Sequence, residues 1–138
     1  AGLRGVEVDG DKATDMVLAM LPIAAHASGQ TRFFGIENLR HKECDRIEVP
    51  VRELQALGVD CSAGHGEIIV RGNESGYEGG GEADTHSDHR VAQMLTLMGL
   101  KCRGGLTVRN AETVAKSYPA FFDDLISLGA NIEKDDSS

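Results

Sequence analysis

The chain has 138 residues, 41% apolar and 26% charged, with 17 glycines, no tryptophan and a formal net charge of −8. That length suits one packed domain, and the mixed composition excludes a disordered or fibrous protein. The negative balance argues against a nucleic-acid or anionic-membrane surface, because either partner would be repelled at long range.

Gly5 to Asp9 alternates as a strand does, so close to Ala1 that the chain reads as a piece of something longer. Asp15 to Ala27, DMVLAMLPIAAHA, is a helical run apolar nearly all round, which predicts burial on several sides, with Pro22 as a kink or interruption. Thr31 to Ile36 reads as the next strand. Asp45 to Leu57 is an amphipathic helix with Ile47, Val51 and Leu54 on one face and Gly58 as its C-cap. Val59 to Ala63 and Glu67 to Arg71 flank Gly64-His65-Gly66 as a hairpin.

The glycine-rich stretch Gly76 to Gly81 opens a second run. It lacks the Lys-Ser/Thr of a nucleotide-phosphate loop and reads as a tight turn or hinge. Asp88 to Leu100 is a helix, Leu106 to Arg109 a strand, Ser117 to Leu128 a helix and Ala130 to Glu133 a last short strand; Lys134 to Ser138 is a solvated tail.

Phe34-Gly-Ile-Glu-Asn38 matches Leu106-Thr-Val-Arg-Asn110, and Glu53 to Asp60 matches Asp124 to Asn131, so the second run repeats the first with a period of roughly 72 residues. Asp15 then corresponds to Asp88. The alternation of strands and helices gives an α/β class in one domain, 1–138, with repeat one at about 4–73, repeat two at about 82–134, and 135–138 as tail.

Three basic groups fall at predicted helix starts: Arg40, Lys42 and Arg46 around Asp45; Arg90 after Asp88; and Lys116 before Ser117. Cations are disfavoured there, because the open N–H groups and the macrodipole are already positive. A small polyanion would offset that cost, meeting backbone donors and guanidinium groups together. The alternative is that Asp15, Asp45, Asp88 and Ser117 are plain N-caps and the basic side chains bend into solvent.

Asp84-Thr-His86-Ser-Asp88-His89 offers nitrogen and oxygen ligands, but they are crowded and lack a second cluster at metal-site spacing, so no metal is expected. Cys44, Cys61 and Cys102 are odd in number and unpaired in spacing, which points to reduced thiols and a cytoplasmic location. No apolar run reaches the length of a membrane span.

Leu39-Arg-His-Lys-Glu-Cys-Asp-Arg46, Asp88-His-Arg90 and Ala115-Lys-Ser-Tyr-Pro119 followed by Phe121-Phe122 resemble, in order, three motifs of the enolpyruvylshikimate-phosphate synthase family. The resemblance runs over nearly the whole chain. Gly5-Val-Glu-Val-Asp9 leading into Asp15 resembles the family's strand and catalytic aspartate, with Thr14 where Pro is usual.

What the resemblance implies is an enolpyruvyl-transferase-like domain of repeated βαβαββ units, two of them in this chain. The implied reaction, in the shikimate route to the aromatic amino acids, moves the enolpyruvyl group of phosphoenolpyruvate to the 5-hydroxyl of shikimate 3-phosphate. The methylene carbon is protonated as the hydroxyl oxygen attacks the adjacent carbon; phosphate then leaves while a methyl proton is removed. No cofactor is implied. Arg46, Arg90 and Lys116 answer to residues that grip phosphoenolpyruvate, and Asp15, Asn38 and Lys42 to residues facing shikimate 3-phosphate. Glu43 and Asp15, with Lys42, are the candidates for proton transfer, since carboxylates beside cations can fill both acid and base roles.

Family members are longer, with two such domains closing on the substrates, so the chain is expected to need the N-terminal remainder of the same enzyme and to be inactive alone. A monomer is expected. The alternatives are the sister transferase acting on UDP-N-acetylglucosamine, and a non-catalytic anion-binding or protein-binding α/β module.

Overall fold

A computed structural model describes residues 6–11 and 14–133. Gly5, at the start of the first expected strand, and the expected tail Lys134 to Ser138 lie outside the described residues. β1 (Glu7–Asp9) leads to α1 (Thr14–Ala25), β2 (Gln30–Phe34), a 3-10 segment at Glu37–His41, α2 (Glu48–Ala56), β3 (Asp60–Ala63) and β4 (Glu67–Arg71). A second run follows, with β5 (Glu82–Asp84), α3 (His89–Lys101), β6 (Thr107–Arg109), a 3-10 segment at Ala111–Lys116 and α4 (Phe121–Ser127).

Alternation builds the larger sheet. Thr31 and Phe33 of β2, Cys61 of β3 and Ile68 and Val70 of β4 are buried while their strand neighbours are more open. One face therefore packs inward. The strand order is β1-β2-β4-β3, with β1 parallel to β2 and the remaining pairs antiparallel. β5 and β6 form a separate parallel pair.

α1 packs against β2 and β4 on one side and α3 on the other, and α3 packs against β6. Val17, Leu18, Leu21, Phe33, Leu54, Ile68, Met94, Leu95 and Met98 join in one core. Each such side chain contributes roughly 1.5–3 kcal/mol by leaving water. α1 continues through Pro22 to Ala25. As its apolar run predicts, it is buried on more than one side, toward β2 and β4 and toward α3, while Met16 and Ile23 stay 57% and 50% exposed.

Two expectations fail at the end of the chain. The helix expected from Ser117 to Leu128 is shorter: the 3-10 segment stops at Lys116, Ser117 to Ala120 is a break, and α4 begins only at Phe121. Pro119 explains the break, since it disfavours the helical conformation at Tyr118. Ala130 to Glu133 forms no strand.

The register of the two parallel pairs also revises the repeat. Asp9 pairs with Phe34 and Asp84 with Arg109. Gly10 N–H then donates to Phe34 O at 2.9 Å, as Thr85 N–H does to Arg109 O at 3.3 Å. The Asp9 carboxylate accepts from Asp11 N–H and the Asp84 carboxylate from His86 N–H. The next residue after each second strand is left-handed, Gly35 with φ 69° and Asn110 with φ 58°. The offset is thus about 75 residues at the paired strands, while Gly58 and Gly129, left-handed at the ends of α2 and α4, keep the expected offset near 72. Asn110 stands where Gly35 does, and Arg90, not Asp88, answers to Asp15.

Tyr77 fixes how α1 and α3 run. Its hydroxyl donates to Ala25 O at 2.8 Å, at the end of α1, while its carbonyl accepts from Arg103 N–H at 3.1 Å, just past the end of α3. The two helices are therefore parallel, with their starts together at the opposite end. The segments leaving β1, β2, β5 and β6 all lie at that end, outside the carboxyl ends of parallel strands where α/β proteins gather ligands.

Candidate anion site at the starts of α1 and α3

Asp88 organises this end of the molecule. As the N-cap of α3 it accepts from Arg90 N–H at 2.8 Å and Val91 N–H at 3.3 Å through Oδ1. Its other oxygen accepts from Arg46 Nε at 2.8 Å and from the Cys44 thiol at 3.2 Å. Both Asp88 and Arg46 are buried, at 0% and 3% exposure. Burial alone would raise the Asp88 pKa, yet the Arg46 and Cys44 hydrogen bonds, the Arg46 charge and the helix N–H groups hold it below the ordinary aspartate value.

Glu43 meets the same guanidinium from the solvent side, accepting from Arg46 Nη2 at 2.6 Å. His89 Nδ1 lies 3.3 Å from Glu43 Oε2, within ion-pair reach but not aligned for a hydrogen bond. Burial first, then the neighbouring Asp88 carboxylate, pushes the Cys44 thiol up to about 12, so Cys44 is a hydrogen-bond donor here and not a nucleophile.

Arg40 has a different task. It donates to His65 O at 2.7 Å and Gly64 O at 2.6 Å, tying the β3–β4 turn to the 3-10 segment, and pairs with Asp45 at 2.9 Å. Burial would raise the Asp45 pKa, but the Glu48 and Ile47 N–H groups and Arg40 bring it below the usual range.

Several basic residues do not sit at helix starts as the sequence suggests. Arg40 lies in the last turn of its 3-10 segment, Lys42 just beyond it, and Lys116 in the last turn of the second 3-10 segment. Only Arg90 falls in the first turn of an α-helix, and Arg46, ahead of α2, turns its side chain to α3.

Arg46 and Arg90 are nonetheless brought together through Asp88. Lys116 lines an open depression of about 510 Å3 with Ser87, Asn110, Glu112, Thr113 and Ala115. Gln93, one turn past Arg90, donates to Ser117 Oγ at 3.3 Å. The second 3-10 segment therefore stands beside the start of α3. Asp15 is exposed in the first turn of α1, and Asn38 and Lys42 are exposed on the stretch leaving β2.

The sequence reading gives Asp88 as an N-cap, a possible metal ligand and part of the Asp88-His-Arg90 motif, but not as the partner of Arg46. The Asp88 to Arg46 contact spans two distant segments and leaves no local signal. Glu43, Asp88 and His89 do bring ligand atoms within 4.8 Å of one another. The Arg46 guanidinium lies on both carboxylates and supplies the positive charge that a cation would bring.

Among the described residues no helix is long and apolar enough to cross a membrane. Residues 1–125 match the family model described as EPSP synthase (3-phosphoshikimate 1-carboxyvinyltransferase). A 3-phosphoshikimate 1-carboxyvinyltransferase from Burkholderia pseudomallei is 38% identical over 133 residues, covering 96% of this chain and 30% of the relative. One from Deinococcus radiodurans is 41% identical over 131 residues, again covering 30% of that protein. An EPSP synthase structure from Acinetobacter baumannii matches with a TM-score of 0.87 at 36% identity, over 96% of this chain and 32% of that one. An enolpyruvyl transferase from Streptomyces tendae, 24% identical with a TM-score of 0.70, shares the fold. The chain thus spans about 30% of the length of the curated relatives it matches. With its family model covering all three motifs and the α3 cluster, the chain belongs to the EPSP synthase family.

Proposed function

We propose that the protein containing this chain transfers the enolpyruvyl group of phosphoenolpyruvate to the 5-hydroxyl of shikimate 3-phosphate and releases phosphate. The observation that carries this reading is the meeting of Glu43, Arg46 and the start of α3, an acid beside buried and half-buried cations, in a chain of this family. The relatives named for this acceptor favour it over UDP-N-acetylglucosamine.

Arg46, Arg90 and Lys116 take the carboxylate and phosphate of phosphoenolpyruvate. Asp15, Asn38 and Lys42 face shikimate 3-phosphate. Glu43, held against the Arg46 guanidinium, exchanges the proton with the methylene carbon, and Asp15 takes the hydroxyl proton as its oxygen attacks, with Lys42 beside them. Fixed cations stabilise the charge that develops as phosphate departs.

The two runs of elements act as two repeats of one partial domain, and the rest of the enzyme supplies the opposing wall. The enzyme works as a cytoplasmic monomer. Alone, this chain binds both substrates weakly and does not turn over.

Phosphate release by the full-length enzyme, dependent on both substrates, is the direct test. Normal turnover with both Asp15→Asn and Glu43→Gln would overturn the role assignment. Vigorous release by the 138-residue chain alone would overturn the need for the remainder.

A further inference from the structure

We propose that Asp88 is the positioning residue for the donor-binding arginines, one buried carboxylate that sets both the Arg46 guanidinium and the start of α3 that carries Arg90. The inference rests on the reading of Arg46 and Arg90 given above.

A carboxylate offers about four acceptor sites. Those of Asp88 meet Arg46 Nε, the Cys44 thiol, Arg90 N–H and Val91 N–H. With all four engaged and no exposed surface, Asp88 has nothing left to offer a substrate and acts only through the groups it holds. Arg46 is anchored through Nε, which leaves the outer nitrogens of its fork for Glu43 and for an anion. Arg90 is anchored through its backbone, so its side chain is also left to a ligand. The same carboxylate balances the charge of the buried Arg46 from the inner side, as Glu43 does from the solvent side.

Asp88→Asn in the full-length enzyme separates these roles. Asparagine still caps a helix. Its amide group, however, turns a donor toward either Arg46 or the helix N–H groups. The expected result is a KM for phosphoenolpyruvate raised by about tenfold to a hundredfold, as for loss of a hydrogen bond to a charged group, with the KM for shikimate 3-phosphate little changed.

On an Arg46→Lys background the same substitution is expected to add less than about twofold, because residues in one network are not additive. Asp88→Ser, which also caps, replaces it should the asparagine protein fail to give a native unfolding transition. Equal rises in both KM values, or full additivity with Arg46→Lys, would overturn the positioning role while leaving the transfer reaction standing. Absence of transfer in the unsubstituted enzyme would overturn the reaction itself, and this inference with it.

Discussion

The Glu43 carboxylate accepts a 2.6 Å hydrogen bond from Arg46, three residues further on. The proposed proton-transfer group is thereby held by a guanidinium that is itself fixed from behind. Glu43→Gln should lower turnover by about 10²–10⁴, the usual contribution of one acid or base. Stability should change by less than about 1 kcal/mol, because Glu43 is well exposed and such pairs are screened. Steady-state phosphate release and urea unfolding of the full-length enzyme check the two halves.

Asp88 ties acid stability to the same cluster. Its folded-state pKa lies below the ordinary 3.8. The ionised carboxylate therefore contributes stability that is present above that value and is lost as the pH falls through the lower folded one. The stability advantage of the unsubstituted enzyme over Asp88→Asn should shrink below about pH 4, measured by urea unfolding between pH 6 and pH 3.

Cys44 should titrate in the opposite sense. With the thiol raised from 9.0 to about 12, its contribution is intact below the unfolded value and is lost as the pH rises from there through the folded one. At pH 8 the thiolate fraction, and with it iodoacetamide labelling, should be roughly 10³-fold lower in the folded protein than in urea. Peptide mass spectrometry of the labelled full-length enzyme reads this out; equal rates in both states would refute it.

Gly72 lies where no side chain fits. A Cβ there would collide with the carbonyl oxygens of Ala24 and Ala27, at the end of α1. Backbone cannot yield as a flexible side chain does, so Gly72→Ala should cost about 3 kcal/mol in a denaturant titration. Gly58→Ala, at φ +94° with nothing within 4 Å, should cost less, about 1 kcal/mol of backbone strain alone.

Local rules carry most of the fold. β4 runs over Glu67 to Arg71 as its alternation predicts, Gly58 ends α2 with φ +94°, and Asp88 caps α3 as its place before an apolar run suggests. These features depend on the side chain and its close neighbours. Where a proline cuts a pattern the reading falters: the apolar spacing from Ser117 to Leu128 conceals the break that Pro119 imposes.

Sequence similarity suggests a repeat, but it does not give the register of the strand pairs. Phe34 and Leu106 look alike, yet strand pairing sets Phe34 against Asp9 and gives Arg109, not Leu106, the matching place. Hydrogen-bond register depends on the partner strand, which sequence similarity along one strand does not report.

For the site, motif residues are legible because their types suit an anion, while their assembly is not. Nothing near Arg46 announces that its guanidinium will lie on Asp88, or that Arg40, equally basic and close by, will instead hold the turn at Gly64 and His65. Tertiary contact decides between two arginines that composition treats alike.

Tyr77 joins α1 and α3 at their far ends, roughly 15 Å along the helix axis from Asp15. The helices therefore resemble the legs of a pair of calipers pinned at the head. The spacing of their starts, where Asp15 and Arg90 lie, is thus tied to a phenol at the opposite end of both helices.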